Sequence, residues 1–275
     1  DFMHPDRVVI GTESKLARDL LVELYKPLKS HIVVTDIKSA ELIKHASNSF
    51  LATKISFINA VSRICDKVGA DVTEVAYGMG LDKRIGPGFL NAGIGYGGSC
   101  FPKDLDAFIH ISEKIGYDFK LLKSVRDINI HQQSYLLQKI KEHLWILKDK
   151  HIGILGISFK PDTDDIRSAP SINIVNYLEK EGAHIKLYDP SAMPKARKLF
   201  EKVAFCKDAY AVARESDCLL ILTEWDEFKA LNLARIKNSM KRPLIIDGRN
   251  MFRPQDMQNK GFTYISIGRQ PVCGK

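Results

Sequence analysis

Apolar residues recur in two rhythms along this chain. From Ser39 to about Val68, the residues Ile43, Ala46, Phe50, Phe57, Val61, Ile64 and Val68 fall mostly three and four apart, and no Pro or Gly interrupts the run before Gly69. That spacing predicts one long helix with an apolar stripe, long enough to bridge domains and pack against a second copy. A second stripe over 120–147 predicts another long helix beside the first: Leu121, Leu122, Val125, Ile128, Tyr135, Leu136, Ile140, Leu144 and Leu147. Beyond His151 the rhythm shortens. Apolar runs at 151–155, 184–188, 203–206, 218–223, 243–247 and 263–267 read as strands, with helices at 170–181, 194–200, 208–216 and 231–239 between them. This alternation predicts an α/β unit with a doubly wound parallel sheet; Gly268 to Lys275 then reads as a tail. Ahead of the first long helix, two strands (Arg7–Gly11 and His31–Thr35) flank an amphipathic helix at 14–26, with Thr12 as its cap and Leu16, Leu20, Leu21 and Leu24 on one side. Two strands and one helix do not make a stable sheet alone. They read as the tail of a domain that starts upstream. The expected organisation is 1–36, 37–148 and 149–275.

Between the long helices lies Gly93-Ile-Gly-Tyr-Gly-Gly-Ser-Cys-Phe-Pro-Lys-Asp104. Pro102 suits a first helical turn, and Leu105, Phe108, Ile109, Ile111 and Ile115 continue at helical spacing to Gly116. Cys100 therefore sits at or just before a helix N-terminus, where free N–H groups favour a thiolate and hold an oxyanion. Asp104, within one turn, is a candidate base or water-positioning group. The other reading of a lone cysteine is a small buried hydrophobe. Before this loop come a short helix at 71–77, ended by Gly78 and Gly80, and a turn-rich segment at 82–88.

In the strand–helix half, ligands of such sheets sit beyond the carboxyl ends of the strands. Phe159, Lys160, Thr223-Glu-Trp225 and Arg249 fall there. Two cations and an aromatic suit a nucleoside diphosphate with a stacked base; the alternative is ordinary loop cations. Gly153-Ile-Leu-Gly156 is not G-x-G-x-x-G, and Asp189 lies too far on for a dinucleotide fingerprint, so no NAD site is read here.

Composition bounds the rest. With 275 residues, 45% hydrophobic and 27% charged, the chain is an ordinary globular one without a run long enough to span a membrane. Five scattered cysteines without a CxxC or a His/Cys cluster read as reduced thiols of a cytoplasmic protein without a bound metal. The net charge of +8 suits small anionic ligands, or simply a lysine-rich surface. Nucleic acid is disfavoured because no aromatic stacking motif accompanies the dispersed cations.

The stretch Gly-Tyr-Gly-Gly-Ser-Cys-Phe-Pro-Lys-Asp104 resembles the catalytic loop of the UDP-glucose/GDP-mannose dehydrogenase family of nucleotide-sugar 6-dehydrogenases. Glu41-Leu-Ile-Lys-His-Ala-Ser-Asn-Ser-Phe-Leu-Ala-Thr53 is similar to that family's central-helix motif, and Ser158-Phe-Lys-Pro-Asp-Thr-Asp-Asp-Ile-Arg167 and Asp247-Gly-Arg249 to two of its signatures. The resemblance implies an α/β fold of three parts: a remnant of an N-terminal NAD-binding Rossmann domain, a helical dimerisation region carrying the catalytic loop, and a Rossmann-like UDP-sugar domain. It implies a homodimer through the long helix and NAD-dependent oxidation of UDP-glucose to UDP-glucuronate, through a thiohemiacetal and a thioester on Cys100. Lys44 and Asn48 would face the sugar C6, and Asp104 would assist Cys100 or the attacking water. Phe89, Leu90, Asn91, Ala92, Gly93 and Gly97 would wrap the sugar and pyrophosphate. Phe159, Lys160 and Arg249 would hold uridine diphosphate, Arg84 would reach a partner's substrate, and Lys103 and Arg167 would touch NAD. The family's G-x-G-x-x-G loop is not in this sequence, so the chain reads as a fragment incomplete for catalysis. The catalytic loop also fits GDP-mannose oxidation, while the segment from Phe159 to Ile172 favours UDP-glucose. A non-catalytic nucleotide-sugar-binding dimer and a plain dimerisation scaffold are the readings from other classes.

Overall fold

The structure, a computed structural model, describes residues 2–274. Two compact units divide the chain, Asp1–Phe50 and Leu51–Lys275. In the first, strands β1 (Arg7–Gly11) and β2 (His31–Thr35) pair in parallel, joined by helix α1 (Lys15–Tyr25). The cap of α1 is Ser14, whose Oγ accepts the Ala17 N–H at 3.2 Å. Thr12, the expected cap, lies two residues too early and accepts the Ser14 N–H at 3.1 Å instead. Leu16, Leu20 and Leu24 share one side of α1, as predicted, but stand 71%, 63% and 66% exposed.

Helix α2 (Ile37–Val68) starts behind Asp36, whose carboxylate accepts the Ser39 N–H at 2.9 Å, and runs on into the second unit. Its inward face differs from the one the apolar pattern selects. Ala52, Ser56, Ile58, Asn59, Ser62 and Cys65 are buried, whereas Phe57, Ile64 and Val68 are exposed by half or more. Small and polar side chains let α2 approach its neighbours closely, where Ser56 Oγ and Asn59 Oδ1 bond the backbone of other segments. Helix α3 (Val72–Gly80) is capped by Asp71 and continues through Gly78, past its expected end. Helix α4 (Phe101–Lys114) leads to α5 (Lys120–Leu144).

Helix α5 lies beside α2, as its stripe predicts. Ser56 Oγ donates to the Val125 carbonyl at 2.8 Å, Arg63 Nε to Gln132 Oε1 at 3.1 Å, and Tyr135 Oη to Asp66 at 2.5 Å. Lys139 completes this buried group with a 2.9 Å ion pair to Asp66. The helix stops before Leu147, because Trp145 turns into the left-handed region at φ 61°. Leu121, expected in the stripe, is exposed.

The remaining chain alternates β3 (His151–Leu155), α6 (Pro170–Lys180), β4 (His184–Tyr188), α7 (Met193–Ala196), β5 (Ala204–Phe205), α8 (Ala209–Ala213), β6 (Cys218–Ile221), α9 (Asp226–Lys229), α10 (Leu233–Ser239), β7 (Leu244–Asp247), α11 (Pro254–Asn259) and β8 (Thr263–Ser266). All six strands of this sheet are parallel, in the order β5-β4-β3-β6-β7-β8. The α/β expectation therefore holds, with the strand order reversing between β3 and β6. Strands β6 and β7 are buried at every residue, which accounts for their unbroken apolar runs. The segment after β8 is no tail. The Gly268 N–H donates to Asp66, the Gly268 carbonyl accepts the Val72 N–H, and Val272 bridges Tyr264. No helix among the described residues is long and apolar enough to cross a membrane.

Candidate active site

The reversal of strand order opens a crevice beyond the carboxyl ends of β3, β6 and β7. Its floor is set by Asp247, fully buried at the end of β7. This carboxylate accepts N–H groups from Arg249 (2.8 Å) and Met251 (2.7 Å) and the Tyr264 hydroxyl (2.7 Å). Burial pushes its carboxyl up, and those hydrogen bonds pull it back. The turn so formed delivers Arg249. Its guanidinium donates to the carbonyls of Leu222 (2.9 Å), Gly95 (3.0 Å) and Phe159 (3.4 Å) and pairs with Glu224 at 3.2 Å. Five N–H donors allow Arg249 to brace three segments and still offer two to an anion.

The loop after β3 is held from within. Asp189, at the end of β4, accepts the N–H groups of Ile157 (2.8 Å) and Ser158 (3.1 Å), those of Ser191 (2.9 Å) and Ala192 (2.8 Å), and the indole N–H of Trp225 (3.2 Å). Donors that would face a pyrophosphate are taken by an internal carboxylate. Trp225, one of the two aromatics at these strand ends, is a core residue at 7% exposure, its N–H satisfied by Asp189.

Over the crevice lies the glycine loop. Gly97 runs directly against the Ser168 carbonyl and Ala169, an approach that only a residue without Cβ allows. Cys100 is the N-cap residue of α4 and is exposed, with Pro102 in the first turn and its carbonyl accepting the Asp104 N–H at 2.9 Å. Asp104 is 5% exposed and meets Lys103 at 3.2 Å. Three aromatics stand around this corner. The Phe101 ring is edge-on to Tyr96 at 5.7 Å and tilted against Phe89 at 6.1 Å. Burial pushes the Tyr96 phenol up to about 12. Phe89 holds φ 64°, a conformation a bulky residue rarely adopts.

Two cavities of about 320 Å³ each meet at the Glu224–Arg249 pair. Phe89, Asn91, Ala92, Gly97, Phe159, Lys160 and Arg249 line one, together with Tyr96, Phe101 and Ile55. Leu90 lines the other, with Asn91, Ala92, Arg249, Thr73 and Asn250. Gly93 lies beneath, its N–H on Asn59 at 2.8 Å. Arg84 lines neither; it is exposed, with a bidentate grip on Asp82 that lifts its pKa. Arg167 likewise grips Asp165, which raises its pKa, and its carbonyl accepts the Gly98 N–H at 2.9 Å. Lys103 points to solvent. Lys44 and Asn48 lie one turn apart on α2 in the first unit, with Lys44 Nζ 3.4 Å from Asn48 Oδ1.

Residues that sequence reasoning passed over also shape the site: Asn59, Asn129, Asn250 and Asp247 hold its backbone, and Asn250 also lines one of its cavities. The available signal was polar residues at helical spacing with buried neighbours, as Asn129 stands four after Val125.

Residues 38–131 match the UDP-glucose/GDP-mannose dehydrogenase family, central domain, and residues 153–254 match its UDP binding domain. The chain is 47% identical over 275 residues to the UDP-glucose 6-dehydrogenase TuaD of Bacillus subtilis (strain 168), covering all of this chain and 60% of that protein. It is 44% identical over 275 residues to the UDP-glucose 6-dehydrogenase of Rhizobium meliloti (strain 1021), covering 98% of this chain and 63% of that one. A solved UDP-glucose dehydrogenase from Pyrobaculum islandicum superposes with a TM-score of 0.89 at 35% identity, over 98% of this chain and 60% of that structure. The chain thus spans about 60% of the length of the relatives it matches.

Proposed function

The chain belongs to the UDP-glucose/GDP-mannose dehydrogenase family, and from that premise we propose that it carries the substrate-binding and covalent part of the oxidation of UDP-glucose to UDP-glucuronate. The observation that carries this reading is Cys100 as the N-cap of α4, at the end of a glycine loop braced against a crevice that presents Lys160 and Arg249. The cations suit the diphosphate. The aromatic corner of Phe89, Tyr96 and Phe101 suits the exclusion of water from a reactive carbonyl.

In this reading the Cys100 sulfur adds to the C6 aldehyde. A C–S bond forms, the carbonyl π pair moves to oxygen, and the oxygen takes a proton, giving a thiohemiacetal that cannot diffuse away. The N-terminal N–H groups of α4 stabilise the developing oxyanion. At the closing stage water attacks a thioester, the C–S bond breaks, and Asp104 takes the water's proton. Lys44 and Asn48 belong to the same chemistry, at the C6 oxygen; this rests on the sequence motif in which they stand. The family's hydride acceptor is NAD. In the loop after β3 the Ile157 and Ser158 N–H groups are taken by Asp189, so they are not offered to a pyrophosphate there. Lys103 and Arg167 are exposed cations suited to the phosphates of NAD. A homodimer over α2 is supported by the exposed apolar stripe of Phe57, Ile64 and Val68.

Calorimetric titration with UDP-glucose tests this, with GDP-mannose as control. Saturable binding of UDP-glucose alone is expected. Equal binding of GDP-mannose, or binding of neither, sinks the substrate assignment.

A further inference from the structure

The backbone from Ala92 to Gly98 belongs to no helix or strand, so its polar groups need partners from elsewhere. Most are side chains from distant segments. Gly93 gives its N–H to Asn59, Ala92 takes Asn250 Nδ2 at 3.3 Å, and Gly95 takes Arg249. One residue differs from the rest in kind. Asn129, 8% exposed on α5, holds both backbone groups of Tyr96: its Oδ1 accepts the Tyr96 N–H at 2.8 Å and its Nδ2 donates to the Tyr96 carbonyl at 3.1 Å. This is the pair of bonds that a neighbouring strand would supply. Only one orientation of the amide satisfies both, so Asn129 holds the two peptide groups that flank the Tyr96 Cα, the Gly95–Tyr96 N–H and the Tyr96–Gly97 carbonyl.

Tyr96 links those two peptides to the chemistry. Its ring is buried against Phe101, the first residue of α4 and the neighbour of Cys100. Gly95, Tyr96, Gly97 and Phe101 all line the cavity that carries Lys160 and Arg249. Turning either peptide at Tyr96 would move the cavity wall and the start of α4 together. We propose that Asn129 is the positioning residue of the Cys100 loop, setting through Tyr96 both the shape of the anion cavity and the presentation of the thiol. The inference rests on the reading of Cys100 and the crevice given above.

The test compares Asn129→Asp, which keeps an acceptor for the Tyr96 N–H but turns an oxygen on the Tyr96 carbonyl, with Gln132→Met. Gln132 is fully buried on the same helix and bonds Arg63 on α2, away from the loop. Two quantities are read on the whole chain. One is UDP affinity by calorimetry. The other is the iodoacetamide alkylation rate of Cys100 relative to the exposed Cys273, measured peptide by peptide. Asn129→Asp is expected to weaken UDP binding about tenfold and to shift the alkylation ratio about threefold or more, while Gln132→Met leaves both within about twofold. A folded Asn129→Asp protein with wild-type affinity and ratio overturns the proposal. So does a Gln132→Met protein that moves them equally, since that is loss of packing. Hydrogen exchange on the unmodified chain decides the matter if Asn129→Asp does not fold: the Tyr96 N–H is expected to exchange only on global unfolding, and fast local exchange overturns the proposal. If the wild-type chain fails to bind UDP, the substrate reading falls while the alkylation ratio still judges this one.

Discussion

Two glycine-bearing loops, 82–88 and 92–98, sit close in sequence and are built in opposite ways. The first is largely exposed. Lys54 Nζ reaches the Ile85 and Gly86 carbonyls at 3.0 and 3.2 Å, and Arg84 folds back on Asp82. The second is buried from Ala92 to Gly98, and buried side chains and neighbouring carbonyls hold its backbone. A loop held from all sides presents chemistry in one geometry, because every departure leaves a buried polar group without a partner. A loop held at a few surface points keeps the freedom to meet something outside its own chain.

Gly97→Ala breaks the comparison most severely. The new methyl would press on the Ser168 carbonyl and Ala169, both backbone, so the loop itself must shift. A loss of about 2–3 kcal/mol in denaturant unfolding is expected, with UDP binding abolished. Gly86→Ala is the matched case in the open loop. Nothing lies within 4 Å of the added methyl, but the residue holds φ 69°. Only the left-handed backbone is penalised there, so a loss of about 1 kcal/mol is expected, with UDP affinity unchanged. Equal costs at the two sites would show that the buried loop is not wedged as described.

Acid gives the smallest and sharpest contrast. The Arg84 guanidinium, and next the Arg84 N–H, hold the Asp82 carboxyl below the ordinary carboxylate value. A depressed folded pKa contributes order that is present above the unfolded pKa and lost as pH falls through the folded one. Protection of the Arg84 N–H should therefore fade only below about pH 4. The Tyr96 amide should not respond in that window, because its partner Asn129 does not titrate. An NMR titration of the two loops' amides checks both halves; loss of the Tyr96 amide alongside that of Arg84 would contradict the account.

Much of this molecule is local and was legible in the sequence. Helical spacing and a proline in the first turn place Cys100 at the N-terminus of α4, because capping depends on four or five adjacent residues. Strand and helix alternation after His151 yields the parallel sheet, and the strand ends carry Phe159, Lys160 and Arg249, which line one cavity. The misses are equally specific. Phe57 and Ile64 dominate the apolar pattern of α2 and face outward, while Asn59 and Ser62, which weaken that pattern, face inward. Apolar strength measures a wish to leave water and does not say whether the same chain or another supplies the cover.

By itself the sequence determined the order of elements, the helix start that carries the thiol and the strand ends that carry the cations. These follow from backbone sterics, capping and periodicity within a few residues. Only the tertiary structure decided that Asp189 takes the N–H groups after β3 and the Trp225 indole with them, that the segment after β8 clasps Asp66, and that Asn129 holds Tyr96. In each case a buried polar group takes its partner from a segment that is distant in sequence, so the pairing exists only once the fold has brought the two together.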